Sequence, residues 1–175
     1  MDALTFILDS LLTLAVYAFL LRFLLQLMRA DFRNPLSQAV LSLTNWLVLP
    51  LRRILPAMGR VDTASLVALI AVKGAMTLIM FRLLTGTLIP FVPLVVAGLR
   101  SLAVSTIRLF QVLIFVYALL SFIAPGSYSP VVGLVSSLCE PLLRPLRRVL
   151  PVIRGLDFSP LIALIGLQAL LILIT

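Results

Sequence analysis

The chain contains no histidine and a single cysteine, Cys139. Without histidine, the commonest general base and metal ligand is missing. With one cysteine, no intramolecular disulfide can form. Charge is scarce too: 11% of the 175 residues are charged, where a soluble globular domain carries about 25%. No glycine-rich phosphate loop, zinc-ligand spacing or nucleophile elbow stands in the sequence. These absences point away from an enzyme, and no cofactor or metal is expected.

What is abundant is apolar surface. Apolar residues make up 62% of the chain, more than a core of this size can bury, and lipid is the natural solvent for the surplus. Four apolar runs stand out: Leu4 to Met28, Ala64 to Phe81, Ile107 to Ile123, and Pro160 to Thr175. A helix needs about 20 residues to cross the hydrocarbon core. The first run has that length, and the others reach it with their flanking turns, so four spans are expected. The N-terminus carries Asp2 and Asp9 instead of the basic segment of a cleavable signal peptide, so the first span is expected to stay in the mature protein. Residues 84–99 contain Gly86, Pro90, Pro93 and Gly98. They read as a linker of short pieces lying on the membrane or dipping into it; the less favoured alternative is a spanning helix, which would invert the second half. The expected organisation is a first unit at 1–83, the linker at 84–99, and a second unit at 100–175.

The net charge of +8 comes from thirteen Arg and one Lys. A basic balance can signal nucleic acid, but these cations sit between apolar runs with no polar domain to carry them. Orientation and anionic lipid headgroups explain them better, and no nucleic acid contact is expected. Arg29, Arg33, Arg52, Arg53 and Arg60 lie between the first two spans, and Arg144, Arg147, Arg148 and Arg154 lie between the last two. By the positive-inside rule both loops are cytoplasmic and both termini face outward.

Shifted by 95 residues, the chain matches itself. Pro50-Leu51-Arg52-Arg53-Ile54-Leu55-Pro56 falls on Pro145-Leu146-Arg147-Arg148-Val149-Leu150-Pro151, and Asp62 falls on Asp157. Shared hydrophobicity would not place Pro, Arg and Asp in register, so the chain reads as two tandem copies of one unit. Toward the N-terminus the offset becomes 100, with Tyr17-Ala18 on Tyr117-Ala118, so the first copy is five residues longer around Leu27 to Arg33. Each copy also carries a short amphipathic stretch suited to the membrane interface. In the first, Leu36, Ala39, Val40, Leu43 and Leu47 form the apolar side, opposite Ser37, Gln38, Thr44 and Asn45. In the second, Val131, Leu134, Val135, Leu138 and Leu142 take those places. Pro50 and Pro145 are expected to break or bend these stretches. The expected fold is therefore an all-α membrane protein of two parallel repeats, each with two spanning helices and one interfacial helix.

The proline-arginine-aspartate frame resembles that of the YggT family, called YlmG in some bacteria and in plastids. The second copy carries Pro141, Pro145, Arg147, Leu150, Pro151, Gly155, Asp157, Ser159 and Pro160. The first keeps Pro50, Arg52, Leu55, Pro56, Gly59 and Asp62, but has Trp46 against Pro141 and Ser65 against Pro160. The resemblance implies a small inner-membrane or thylakoid protein with no known enzymatic activity. It also implies a link to osmotic and ionic stress tolerance, to cell division gene clusters, and to assembly or nucleoid partitioning in plastids.

Two functional readings follow. In the first, Arg52, Arg53, Arg147 and Arg148 hold lipid phosphates or an acidic surface on a membrane protein partner. Neighbouring arginines on a helix point about 100° apart, so one of each pair can face headgroups while the other binds protein. Against this stands the plain reading that they only fix topology. In the second, the intramembrane polar residues Lys73, Gln168, Gln111 and Arg22 belong to a small channel or transporter, which with four spans requires a homo-oligomer. The bland alternative for Lys73 is a snorkelling or helix-tying residue, with Asp9 a candidate partner. Asp62 and Asp157 read as helix caps, with Ser159 and Pro160 opening the last span. Cys139, opposite Thr44 in the other copy, reads as a small interfacial residue.

Overall fold

The computed structural model describes residues 3–55, 61–123, 129–149 and 157–175. Within them the chain is helical: α1 (Ala3–Leu27), α2 (Pro35–Ile54), α3 (Thr63–Thr85), α4 (Phe91–Ile123), α5 (Pro130–Val149) and α6 (Ser159–Ile174). Three helices, α1, α3 and α4, are long and apolar enough to cross a membrane. α6 is apolar but has 16 residues, or about 24 Å at the usual helical rise, against a hydrocarbon core of about 30 Å. Large apolar side chains such as Phe6 and Leu14 on α1, Phe115 and Phe122 on α4, and Ile165 and Leu173 on α6 lie exposed. Exposed apolar residues of this size, spread along long apolar helices, mark a membrane protein.

α1 packs on α3, α3 on α4, and α4 on α6, while α2 lies against α1 and α3 and α5 against α4 and α6. Side-chain bonds fix the directions. Arg22, near the end of α1, meets Ser65, near the start of α3, so the two helices are antiparallel. Gln111 of α4 donates to Gln168 of α6 at 2.9 Å, and Arg100 higher on α4 donates to the backbone carbonyls of Ile174 and Thr175, so this pair is antiparallel too. The Arg100 guanidinium thereby satisfies carbonyls that the end of α6 leaves without helical partners. The starts of α2 and α5 touch where Asn34 Nδ2 donates to the Pro130 carbonyl at 2.6 Å.

Several expectations are corrected. Residues 84–99 are not a string of short pieces. α3 runs to Thr85 and stops at Gly86, whose φ of 72° supplies the left-handed cap. After Pro90 the chain re-enters a helix at Phe91, and α4 then runs 33 residues, about 50 Å. Pro93 falls in its first turn, where a missing N–H breaks no helical bond. Pro50 and Pro145 do not break their helices either: α2 continues through Pro50 to Ile54, and α5 through Pro141 and Pro145 to Val149. The Arg pairs consequently belong to the last turns of α2 and α5, where positive charge suits the helix dipole. The longer turn of the first copy closes α1 with Arg29 in the left-handed region, its N–H donating to Gln26 and that of Ala30 to Leu25.

The apolar stripe of α2 is only in part the face that packs on the protein. Ser37, Thr44 and Val48 are buried, Val40 and Leu47 pack beside them, and Leu43 and Trp46 are exposed. In α5 more of the stripe packs on the protein: Val135 and Leu138 are buried, with Leu134 and Leu142 packed against the core, while Val131 stays exposed. α2 turns Thr44 and Asn45 inward because α1 presents a guanidinium to it.

Candidate functional site

That guanidinium belongs to Arg22, which is 1% exposed although apolar residues flank it on both sides in α1. A buried arginine is tolerated only when its donors find acceptors. α2 supplies three of them: the Thr44 hydroxyl at 2.8 Å, the Asn45 side-chain carbonyl at 2.8 Å and the Leu41 backbone carbonyl at 3.2 Å. α3 supplies the fourth, as Arg22 Nε donates to Ser65 Oγ at 3.2 Å. The Ser65 hydroxyl donates in turn to the Asp62 carboxylate, and the Thr44 hydroxyl donates to the Val40 carbonyl. Each hydroxyl therefore accepts from Arg22 and donates onward.

Asp62 is the hub of this first cluster. One of its oxygens takes Arg52 Nη2 at 2.6 Å, Arg52 Nε at 3.2 Å and the Ser65 hydroxyl. Its side chain is 1% exposed, against 41% for Arg52. Burial alone would raise the Asp62 carboxyl. The hydrogen bonds from Arg52 and Ser65, together with the charges of Arg52 and Arg22, prevail and hold it below the ordinary carboxylate value. Asp62 sits at the N-cap position of α3 but makes no side-chain cap bond. Its carboxylate serves the ion pair instead of the expected cap.

The second cluster occupies the corresponding place between α4, α5 and α6. Arg147 Nε donates to Asp157 at 2.7 Å, Nη1 to Glu140 at 2.9 Å, and Nη2 to the Tyr117 hydroxyl at 2.7 Å, with the guanidinium 5.6 Å from the Tyr117 ring centre. Here the arginine is the hub. Burial works against its charge, but the bonds to Tyr117 and Asp157 prevail and push its pKa above the ordinary value. Burial likewise raises the Asp157 carboxyl, and the hydrogen bonds from Ser159 and Arg147 bring it below the ordinary value. Asp157 also accepts from the Ser159 N–H at 2.9 Å, but Phe158 and not Asp157 holds the N-cap position of α6. Pro160 is buried in the first turn of that helix.

The other candidates fall as follows. Arg53 and Arg148 are exposed beside their engaged neighbours. Lys73 is buried on α3; its ammonium lies 3.8 Å from the sulfur of Met76, and Asp9 acts on it through space. Gln168, the Lys73 counterpart, is paired with Gln111. Cys139 is buried, and burial beside Glu140 pushes its thiol up to about 12, so it stays protonated. Pro56 and Pro151 lie outside the described residues, as do Gly59 and Gly155. Among the described residues no group of His, Cys, Asp and Glu is placed to hold a metal. Sequence reasoning missed the pairing of Arg52 with Asp62 and of Arg147 with Asp157. The signal was present, since both pairs keep a spacing of ten residues in the two copies. It also left Tyr117 and Glu140 without a role, although Tyr17 and Tyr117 fall in register.

The comparisons with known proteins agree with one another. The CCB3/YggT family model matches residues 1–84 and 93–175. An uncharacterized protein of Pseudomonas aeruginosa is 39% identical over 164 residues, covering 93% of this chain and 83% of its own length. The uncharacterized protein YggT of Escherichia coli K12 is 36% identical over 171 residues, covering 97% of this chain and 88% of its own. No solved structure matches the chain. The chain belongs to the CCB3/YggT family.

Proposed function

We propose that the chain is a non-catalytic module of the bacterial inner membrane that gathers anionic lipids, and with them a partner protein, at its cytoplasmic face. In this reading α1, α3, α4 and α6 are four spans in two parallel repeats, α2 and α5 lie at the interface, and the termini face outward. The observation that carries it is the division of labour within each Arg pair. Arg52 and Arg147 are engaged by the chain's own aspartates, while Arg53 and Arg148 stand exposed on the same helix ends. An arginine with no partner among the described residues, beside one held in place, suits phosphate recognition. Such a module fits the link to osmotic stress tolerance or cell division that the family resemblance implies.

The channel reading draws on Arg22, Lys73, Gln111 and Gln168. Arg22 is tied to α2 and α3, and Gln111 to Gln168. These groups knit helices together, which weakens their case as the lining of a path.

The test is native mass spectrometry of the protein extracted from its membrane. Wild type is expected to retain phosphatidylglycerol or cardiolipin, and the Arg53→Gln/Arg148→Gln variant to lose most of it. Equal retention by the two proteins would overturn the proposal.

A further inference from the structure

Lys73 has a second unusual feature, independent of the arginine clusters. Between α3 and α4 lies a cavity of about 130 Å³, bounded by Ile70, Lys73 and Gly74 on one side and by Leu94, Gly98 and Leu102 on the other. Its walls are apolar except for the lysine. Lys73 is more than nine-tenths buried, and among the described residues its ammonium makes one hydrogen bond, to the thioether of Met76 at 3.8 Å. A thioether is a weak acceptor, and an ammonium wants three good ones. No carboxylate among the described residues lies within ion-pair distance of it; Asp9 acts on it only from farther off. Burying an ammionium-type charge so incompletely matched is costly unless something supplies the missing acceptor.

From this we infer that the cavity binds a single-chain lipophilic carboxylate, such as a free fatty acid, with its carboxylate on the Lys73 ammonium and its chain along the groove between α3 and α4. Three observations select this occupant. The walls suit methylene groups, and the sole charge at the wall is positive. Gly74 and Gly98 face space in which an added Cβ would meet nothing within 4 Å. The depth argues against a phospholipid headgroup: Lys73 stands eleven residues along from Asp62 and twelve before Thr85, about 16–18 Å from either end of α3, whereas phosphates stay at the membrane surface. The residues around the mouth, Ile70, Val95 and Leu99, are exposed, so a chain can pass from the cavity into lipid.

The experiment uses the full chain in detergent, with palmitate, 1-hexadecanol and phosphatidylglycerol as separate probes, and binding read by native mass spectrometry and by competition with a fluorescent fatty acid. Wild type is expected to bind one palmitate per chain saturably. Hexadecanol has the same chain without the charge and is expected to bind about tenfold more weakly, as is palmitate to Lys73→Met, the size of effect that loss of a charge-assisted hydrogen bond produces. Gly98→Phe fills the groove from a position with open space around it, and is expected to abolish binding while the protein stays monodisperse. The inference is overturned if wild type shows no saturable palmitate binding, or if both variants bind palmitate as wild type does. It is also overturned if hexadecanol binds as tightly as palmitate, or if phosphatidylglycerol displaces the fluorescent fatty acid as well as palmitate does.

Discussion

The two arginine–aspartate clusters share a sequence frame and a place in the fold, yet they are wired in opposite ways. In the first, a buried carboxylate, Asp62, collects donors from Arg52 and Ser65, and through Ser65 it reaches Arg22. In the second, the guanidinium of Arg147 distributes bonds to Asp157, Glu140 and Tyr117. The substitutions responsible are few. Arg22 falls on Phe122, which is exposed, Asn45 on Glu140, and Ser65 on Pro160. The first cluster thus holds two bases to one acid, and the second has two acids around its central base. A frame can preserve its geometry while exchanging which residue everything else depends on.

The sharpest way to separate the halves is to neutralise the acids. Asp62→Asn leaves both Arg22 and Arg52 without a carboxylate. It is expected to cost about 2–3 kcal/mol, below the full penalty for a broken buried pair because Arg52 is partly exposed. Asp157→Asn leaves Arg147 with Glu140, and is expected to cost about 1 kcal/mol. Thermal unfolding in detergent, followed by loss of the monodisperse species, checks the order. A smaller effect is acid sensitivity. Both aspartates have folded pKa values below the ordinary carboxylate value of 3.8. Their contribution is therefore complete above that value and lost as the pH falls through the lowered folded values. Melting temperature should drop in that acid range, and the drop should shrink in Asp62→Asn; an unchanged acid profile in that variant would remove Asp62 from the account. The smallest expected effect is at the polar contact between α4 and α6. Gln111→Leu removes the bond to the exposed Gln168 and should cost about 0.5 kcal/mol in the same assay.

Much of this arrangement could be read from the residues. The apolar runs located α1, α3 and the later part of α4, and the 95-residue register put Arg52 and Arg147, and Asp62 and Asp157, at matching places. What escaped has physical reasons. Pro90, Pro93 and Gly98 suggested a broken linker, but two prolines at a helix start are compatible with the helix, and Gly98 lies against a cavity. The apolar stripe of α2 did not say which side packs on the other helices, because lipid accepts Leu43 and Trp46 while a buried guanidinium needs Thr44 and Asn45. The ion pairs join residues ten apart; the repeated spacing marks them, but spacing alone does not say that the side chains meet.

The central claim is the exchange of hubs, and the arginines test it most directly. Removing Arg52 leaves Asp62 bonded to Ser65 and close to the charge of Arg22, so Arg52→Gln should lower stability by less than about 1 kcal/mol. Removing Arg147 strips a donor from Asp157, Glu140 and Tyr117 together, and Arg147→Gln should cost about 2 kcal/mol. The acids should rank first half over second, and the arginines second half over first. Melting both arginine variants side by side decides the matter: a larger loss in Arg147→Gln is the predicted result, and an equal or larger loss in Arg52→Gln would contradict it.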